Sequence, residues 1–143
     1  MNQLQYGLVI TVLGMLSMGC SEVASAQEMI YKNQRGSIMK LELHPQEENT
    51  GKITGTFTTA VGNCKADMNV PMPITGFYNG NAITVAVNFP HCKQVVAMTG
   101  HLLEENKTLY TLWLDAAHTA DPMKKDWAAN ITGADFYQQV KSA

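Results

Sequence analysis

Between Met29 and Val140, apolar and polar side chains alternate over short runs, and turn-forming residues separate the runs. Period two places successive side chains on opposite faces, so each run predicts a half-buried β-strand. The pattern predicts strands at Ser37 to His44, Lys52 to Val61, Met72 to Tyr78, Ala82 to Phe89, Gln94 to Leu102, Thr108 to Ala116 and Ile131 to Val140, with Met29 to Asn33 as a further strand. Asn79-Gly80 is a strong hairpin signal, and Glu48 to Gly51 and Glu104 to Lys107 are polar tips, so neighbouring strands are expected to be antiparallel. An all-β domain of eight such strands can bring its last strand back beside its first. That closes an antiparallel up-and-down β-barrel and removes both exposed sheet edges. One segment departs from alternation: Asp121-Pro122, followed by Lys124 and Lys125, predicts a short helical turn in the last long loop, which also carries Trp127.

The start of the chain follows a different pattern. Leu8 to Cys20 is an apolar run shorter than the roughly 20 residues that a bilayer requires. Ala24-Ser25-Ala26 follows it as a small-x-small cleavage site. Residues 1–26 therefore read as a signal peptide and 27–143 as the domain, secreted or periplasmic, against a retained anchor or a buried segment. Gly19-Cys20 also permits a minority reading in which Cys20 is lipidated. Cleavage leaves Cys64 and Cys92, an even pair that in an exported domain is most simply a disulfide, with two buried thiols as the alternative. Zinc has less support, because the chain has no CxxC and only His91 adjoins a cysteine.

Charge narrows the function classes. Ten basic against 12 acidic residues, a net charge of −2 and no basic stripe argue against nucleic acid as a partner. The four histidines, His44, His91, His101 and His118, share no motif, and no nucleophile-His-acid arrangement is evident. An enzyme would have to rely on Asp115 and Asp135 as acid and base.

Alternation gives a stronger lead. Ile53, Phe57, Thr59 and Val61 would share one face of their strand, Leu109, Thr111, Trp113 and Asp115 one face of theirs, and Ile131, Gly133, Asp135 and Tyr137 another. If these faces point inward, Thr59, Trp113 and Asp135 meet inside the barrel. A buried carboxylate is costly unless hydrogen-bonded, so such an interior is either a polar network or a ligand pocket at a barrel mouth.

These residues also carry a resemblance. Asn33-Gln34-Arg35-Gly36-Ser37, Gly55 to Asn63, Leu112-Trp113-Leu114 and Asp126 to Phe136 resemble, in order, four separated motifs of the avidin and streptavidin family. The resemblance implies an eight-stranded barrel that binds biotin without transforming it and needs no cofactor. In that pattern Asn33 and Ser37 donate to the ureido oxygen, while Thr59 and Asp135 accept from the ureido nitrogens, Asp135 through a charge-assisted bond. Asn63 covers the valeryl carboxylate, Trp113 walls the bicyclic ring, and Trp127 closes the pocket of a neighbouring subunit. Cys64 and Cys92 resemble the loop disulfide of dimeric members, whereas a cross-subunit Trp127 goes with tetramers; the balance tips toward a tetramer.

The pattern is not followed throughout. Phe57 stands where a tyrosine would supply a third donor, a loss of about 1–3 kcal/mol beside a buried acceptor. Val87 and Met98 stand where tryptophans are expected, Val96 where a hydroxyl would face the sulfur, and Gln94 where a serine would face the carboxylate. The resemblance thus implies biotin or a related cyclic urea, bound less tightly than by the tightest members. The alternative is an interaction protein on the same fold, with a different small heterocycle or a protein partner.

Overall fold

The period-two pattern becomes strand along nearly its whole length. The structure, a computed structural model, describes residues 26–120 and 130–140. In chain order it contains β1 (Gln27–Asn33), β2 (Ile38–Glu47), β3 (Thr50–Thr58), β4 (Met72–Asn79), β5 (Ala82–Phe89), β6 (Gln94–Leu103), β7 (Thr108–Ala117) and β8 (Asn130–Val140). Each strand pairs antiparallel with the next, and β8 returns to β1 from Ile30↔Val140 to Asn33↔Tyr137, closing the barrel. The expected leader, and the expected helical turn with Trp127, lie outside the described residues.

Alternation sorts the side chains as anticipated. On β5, Ile83, Val85, Val87 and Phe89 point inward and their neighbours outward. Tyr31, Met39, Leu41, Ile53 and Leu109 are fully enclosed and fill one end of the barrel. Each buried aliphatic side chain of this size contributes about 1.5–3 kcal/mol relative to exposure. Three tips close that end, and hydrogen bonds link them: Gly80 N donates to Asn49 O at 2.6 Å, and Leu102 N to Asn81 O at 2.8 Å. The Tyr31 hydroxyl donates to Asn106 O at 2.7 Å, and burial raises its pKa to about 12.

Two local expectations change. β3 stops at Thr58, so Thr59 and Val61 belong to the following loop and not to the strand. The loop from Thr59 to Pro71 is held in place by Asn69 N donating to Thr59 O at 2.8 Å. The β4–β5 hairpin also turns one residue later than Asn-Gly suggests. Asn79 stays on the strand and Gly80 takes φ 56° at the first loop position, the glycine place of a type II′ turn.

The barrel ends are therefore unequal. The β2–β3, β4–β5 and β6–β7 connections are tight. At the opposite end, the β1–β2 turn, the long β3–β4 loop, the β5–β6 turn and the neighbouring ends of β7 and β8 surround an opening.

Candidate binding pocket at the open end

The opening leads into a cavity of about 370 Å³ lined by residues of β3, β5, β6, β7, β8 and the adjoining loops. Ser37, Phe57, Thr59, Asn63, Gln94, Val96, Met98, Trp113 and Asp135 all line it. Val87 is buried on β5 but is not part of the lining, and Asn33 sits just behind it, 6% exposed. Trp127 lies outside the described residues.

The β1–β2 turn builds the polar wall. Gly36 adopts φ 92°, a conformation open to glycine at little cost, and this folds Ser37 back under Asn33. Asn33 Oδ1 accepts from Arg35 N at 3.0 Å and Ser37 N at 2.8 Å, so its acceptor is occupied while Nδ2 remains buried and unpartnered among the described residues. Ser37 Oγ accepts from Ala60 N at 3.0 Å, which leaves its O–H free to donate. Thr59 has the opposite arrangement. Its hydroxyl donates to Val61 O at 2.7 Å and accepts from Val61 N at a long 3.4 Å, leaving one lone pair to accept from a ligand. Asp135 Oδ1 accepts from Gln34 Nε2 at 3.1 Å and lies 3.8 Å from Arg35 Nε. The wall thus offers the Ser37 hydroxyl as donor and Thr59 and Asp135 as acceptors, with Asn33 Nδ2 as a second donor just behind it.

Behind the wall, Thr111 Oγ1 and Tyr137 OH are also buried without a partner at full hydrogen-bond geometry among the described residues, although Thr111 and Asn33 both stand close enough to the Tyr137 hydroxyl to pull its pKa down in part. Burial, and then the nearby Asp135 charge, push the Tyr137 hydroxyl well above its ordinary pKa, so it remains a neutral phenol.

The apolar side depends on close packing between strands. Trp113 pairs in register with Gly133, where a Cβ would overlap the indole ring; glycine leaves room for the ring to lie against β8. Phe57 stacks edge-on against Phe89, with ring centroids 6.3 Å apart at 72°. Met98 and Val96 complete this side.

Two loops are fixed at the mouth. Cys64 of the β3–β4 loop forms a disulfide with Cys92 of the β5–β6 turn, with Cα atoms 5.8 Å apart. Beside it, Asp67 is 1% exposed, accepting from Cys92 N at 2.9 Å and pairing with His91 Nδ1 at 2.6 Å. Burial disfavours the Asp67 charge, but the hydrogen bonds from Cys92 and His91 and the imidazolium charge outweigh it and hold the carboxyl below its ordinary pKa. No group of three metal-ligating side chains occurs among the described residues.

Sequence reasoning missed Asp67, Phe89 and Arg35 as parts of this site. Asp67 has no periodic signal because it lies in an irregular loop. Phe89 fits its strand pattern as a core residue, and only the closed barrel brings it to Phe57. Arg35 lies inside the motif that contains Asn33 and Ser37, so its neighbours were the available signal.

Comparison with known proteins agrees with this geometry. The avidin family model matches residues 23–140, and the chain belongs to the avidin family. Core-bradavidin is similar at 26% identity and a TM-score of 0.65, over 80% of this chain and 100% of that one. Rhizavidin, solved as a biotin complex, is similar at 22% identity and a TM-score of 0.65, over 84% and 98%. Bradavidin2, also solved with biotin, is similar at 24% identity and a TM-score of 0.59, over 79% and 96%. No curated protein matches the chain. The family comprises non-enzymatic proteins that bind biotin as a ligand and not as a cofactor.

Proposed function

We propose that this protein binds biotin non-covalently in the cavity at the open end of its barrel. The observation that carries this reading is the set of unused hydrogen-bonding groups. A cyclic urea presents one carbonyl oxygen with two lone pairs and two N–H groups. Asn33 Nδ2 and the Ser37 hydroxyl are free to donate to the oxygen, while Thr59 and Asp135 can accept from the nitrogens. Unmet donors behind a pocket wall are costly, and a urea would satisfy them. Trp113, Phe57, Val96 and Met98 then face the apolar part of the bicycle, with Asn63 at the mouth. The disulfide and Asp67 fix the mouth loops before binding, which lowers the ordering cost. In differential scanning calorimetry, saturating biotin raises the unfolding temperature; an unchanged temperature contradicts the reading.

The same proposal covers export and assembly. Residues 1–26 act as a cleaved signal peptide, and the Cys64–Cys92 bond suits an oxidising compartment. The outer face of β6, β7 and β8 exposes Val95, Leu112, Leu114 and Phe136, with Tyr110 and Phe136 ring centroids 4.6 Å apart. Several large apolar side chains exposed on one side of a barrel support association with further copies of the chain, a tetramer before a dimer, in which Trp127 covers a neighbour's pocket.

A further inference from the structure

Three carboxylates line the cavity, and their surroundings differ. Asp67 is paired with His91 and accepts from Cys92 N; Asp135 lies beside Arg35. Asp115 has no cation among the described residues. Its Oδ2 accepts from Gln94 Nε2 at 3.0 Å, and its Oδ1 is sealed from solvent with no hydrogen-bond partner. Burial pushes the Asp115 carboxyl pKa upward, as expected for a carboxylate that no positive charge compensates. The neighbouring side chain, Trp113, has a buried Nε1 that is likewise unpartnered.

Position along the barrel shows which part of a ligand meets this carboxylate. Asp135 pairs in register with Thr111, and Asp115 lies four residues further along β7 toward the mouth. At a strand rise of about 3.3 Å per residue, the two carboxylate positions are roughly 13 Å apart along the strand. An elongated ligand anchored by a urea at Asp135 therefore directs its far end toward Asp115. Free biotin carries a carboxylate at that end, and two like charges in a partly dry pocket repel. An amide at the same place is neutral and presents an N–H.

We infer that the pocket selects biotin in amide linkage over free biotin, with the cavity side of the Asp115 carboxylate accepting the amide N–H and Gln94 holding that carboxylate in place. This rests on the biotin reading and adds a preference to it. The Asp115–Gln94 pair acts both by attraction and by exclusion, because it satisfies a donor and repels an anion.

The test is calorimetric titration of the full chain with free biotin and, separately, with biotinamide. Biotinamide is expected to bind at least about tenfold more tightly, the effect of like charge against a neutral donor. In Asp115→Asn, which preserves size and can be checked for folding by its melting curve, the two dissociation constants should come within about threefold of each other. Free biotin binding as tightly as the amide in the unaltered chain overturns the inference and leaves the biotin reading intact, as does a preference that survives Asp115→Asn. If neither ligand binds the folded chain, the biotin reading itself fails and this inference with it.

Discussion

Replacing Asp135 with alanine separates binding from folding. Asp135 is 7% exposed, and both of its contacts fall on Oδ1, from Gln34 at 3.1 Å and from Arg35 at 3.8 Å. Arg35 is half exposed and Gln34 exposed, so both recover water when the carboxylate is removed. Loss of an ion pair with one solvated partner costs no more than about 1 kcal/mol, and removing a buried charge offsets part of that. The effect on a ligand is larger, because a bound urea N–H would be left buried without its charged acceptor. Truncating one partner of such a pair costs about 2–5 kcal/mol. That corresponds to a roughly 30- to 5,000-fold rise in the biotin dissociation constant. Calorimetric titration measures the affinity, and denaturant unfolding without ligand measures the stability. An affinity within about threefold of the unaltered chain would refute the assignment of Asp135 as a ligand acceptor.

Four further predictions concern separate parts of the account. Phe57→Tyr adds a donor to a residue that lines the cavity, so biotin should bind more tightly, by up to about 1–3 kcal/mol; unchanged or weaker affinity means that the donor does not reach the ligand. Joint Cys64→Ser and Cys92→Ser substitution opens a loop with a sequence separation of 28 and should lower the unfolding free energy by about 3–4 kcal/mol in urea titrations, with weaker biotin binding as the mouth loops lose their fixed position. Asp67 has a folded-state pKa below the ordinary 3.8, so its stabilising effect is complete above that value and fades as pH falls through the folded pKa. Melting curves should show the advantage of the unaltered chain over Asp67→Asn at pH 7 shrinking below about pH 4. Leu114→Glu places a charge in the exposed apolar face of β7 and should shift the light-scattering mass of an oligomer toward the monomer; an unchanged oligomer would remove that face from the interface.

Much of the fold was legible because alternation has a direct physical meaning. Ile83, Val85, Val87 and Phe89 are apolar at every second place, and a strand with one buried face is the structure that satisfies this. Closure was less direct, since the sequence specifies neighbours and not the return of β8 to β1, but Tyr137 opposite Asn33 sets that seam directly behind the polar wall of the pocket. The polar motif at Asn33 to Ser37 was readable as a turn. What could not be read was how each polar atom is used. Asn33 Oδ1 is taken by two backbone N–H groups and the Thr59 hydrogen by Val61 O, and these local bonds decide which group remains to donate or accept. The end of β3 was placed too late because Thr58 to Val61 is a run with strand propensity, whereas the chain turns there to begin the long mouth loop. Asp115 was legible as an inward residue but not as an uncompensated charge, because its Gln94 partner lies on β6, 21 positions away in sequence.

The central claim is that the free donors of Asn33 and Ser37 and the acceptors of Thr59 and Asp135 together hold the ureido group of biotin. The most direct measurement is calorimetric titration of the oxidised chain with biotin. The account predicts saturable, exothermic binding at one ligand per chain. No heat and no displacement of a labelled biotin at about 100 µM folded protein, where even a millimolar-range affinity of about −4 kcal/mol begins to register, would contradict it.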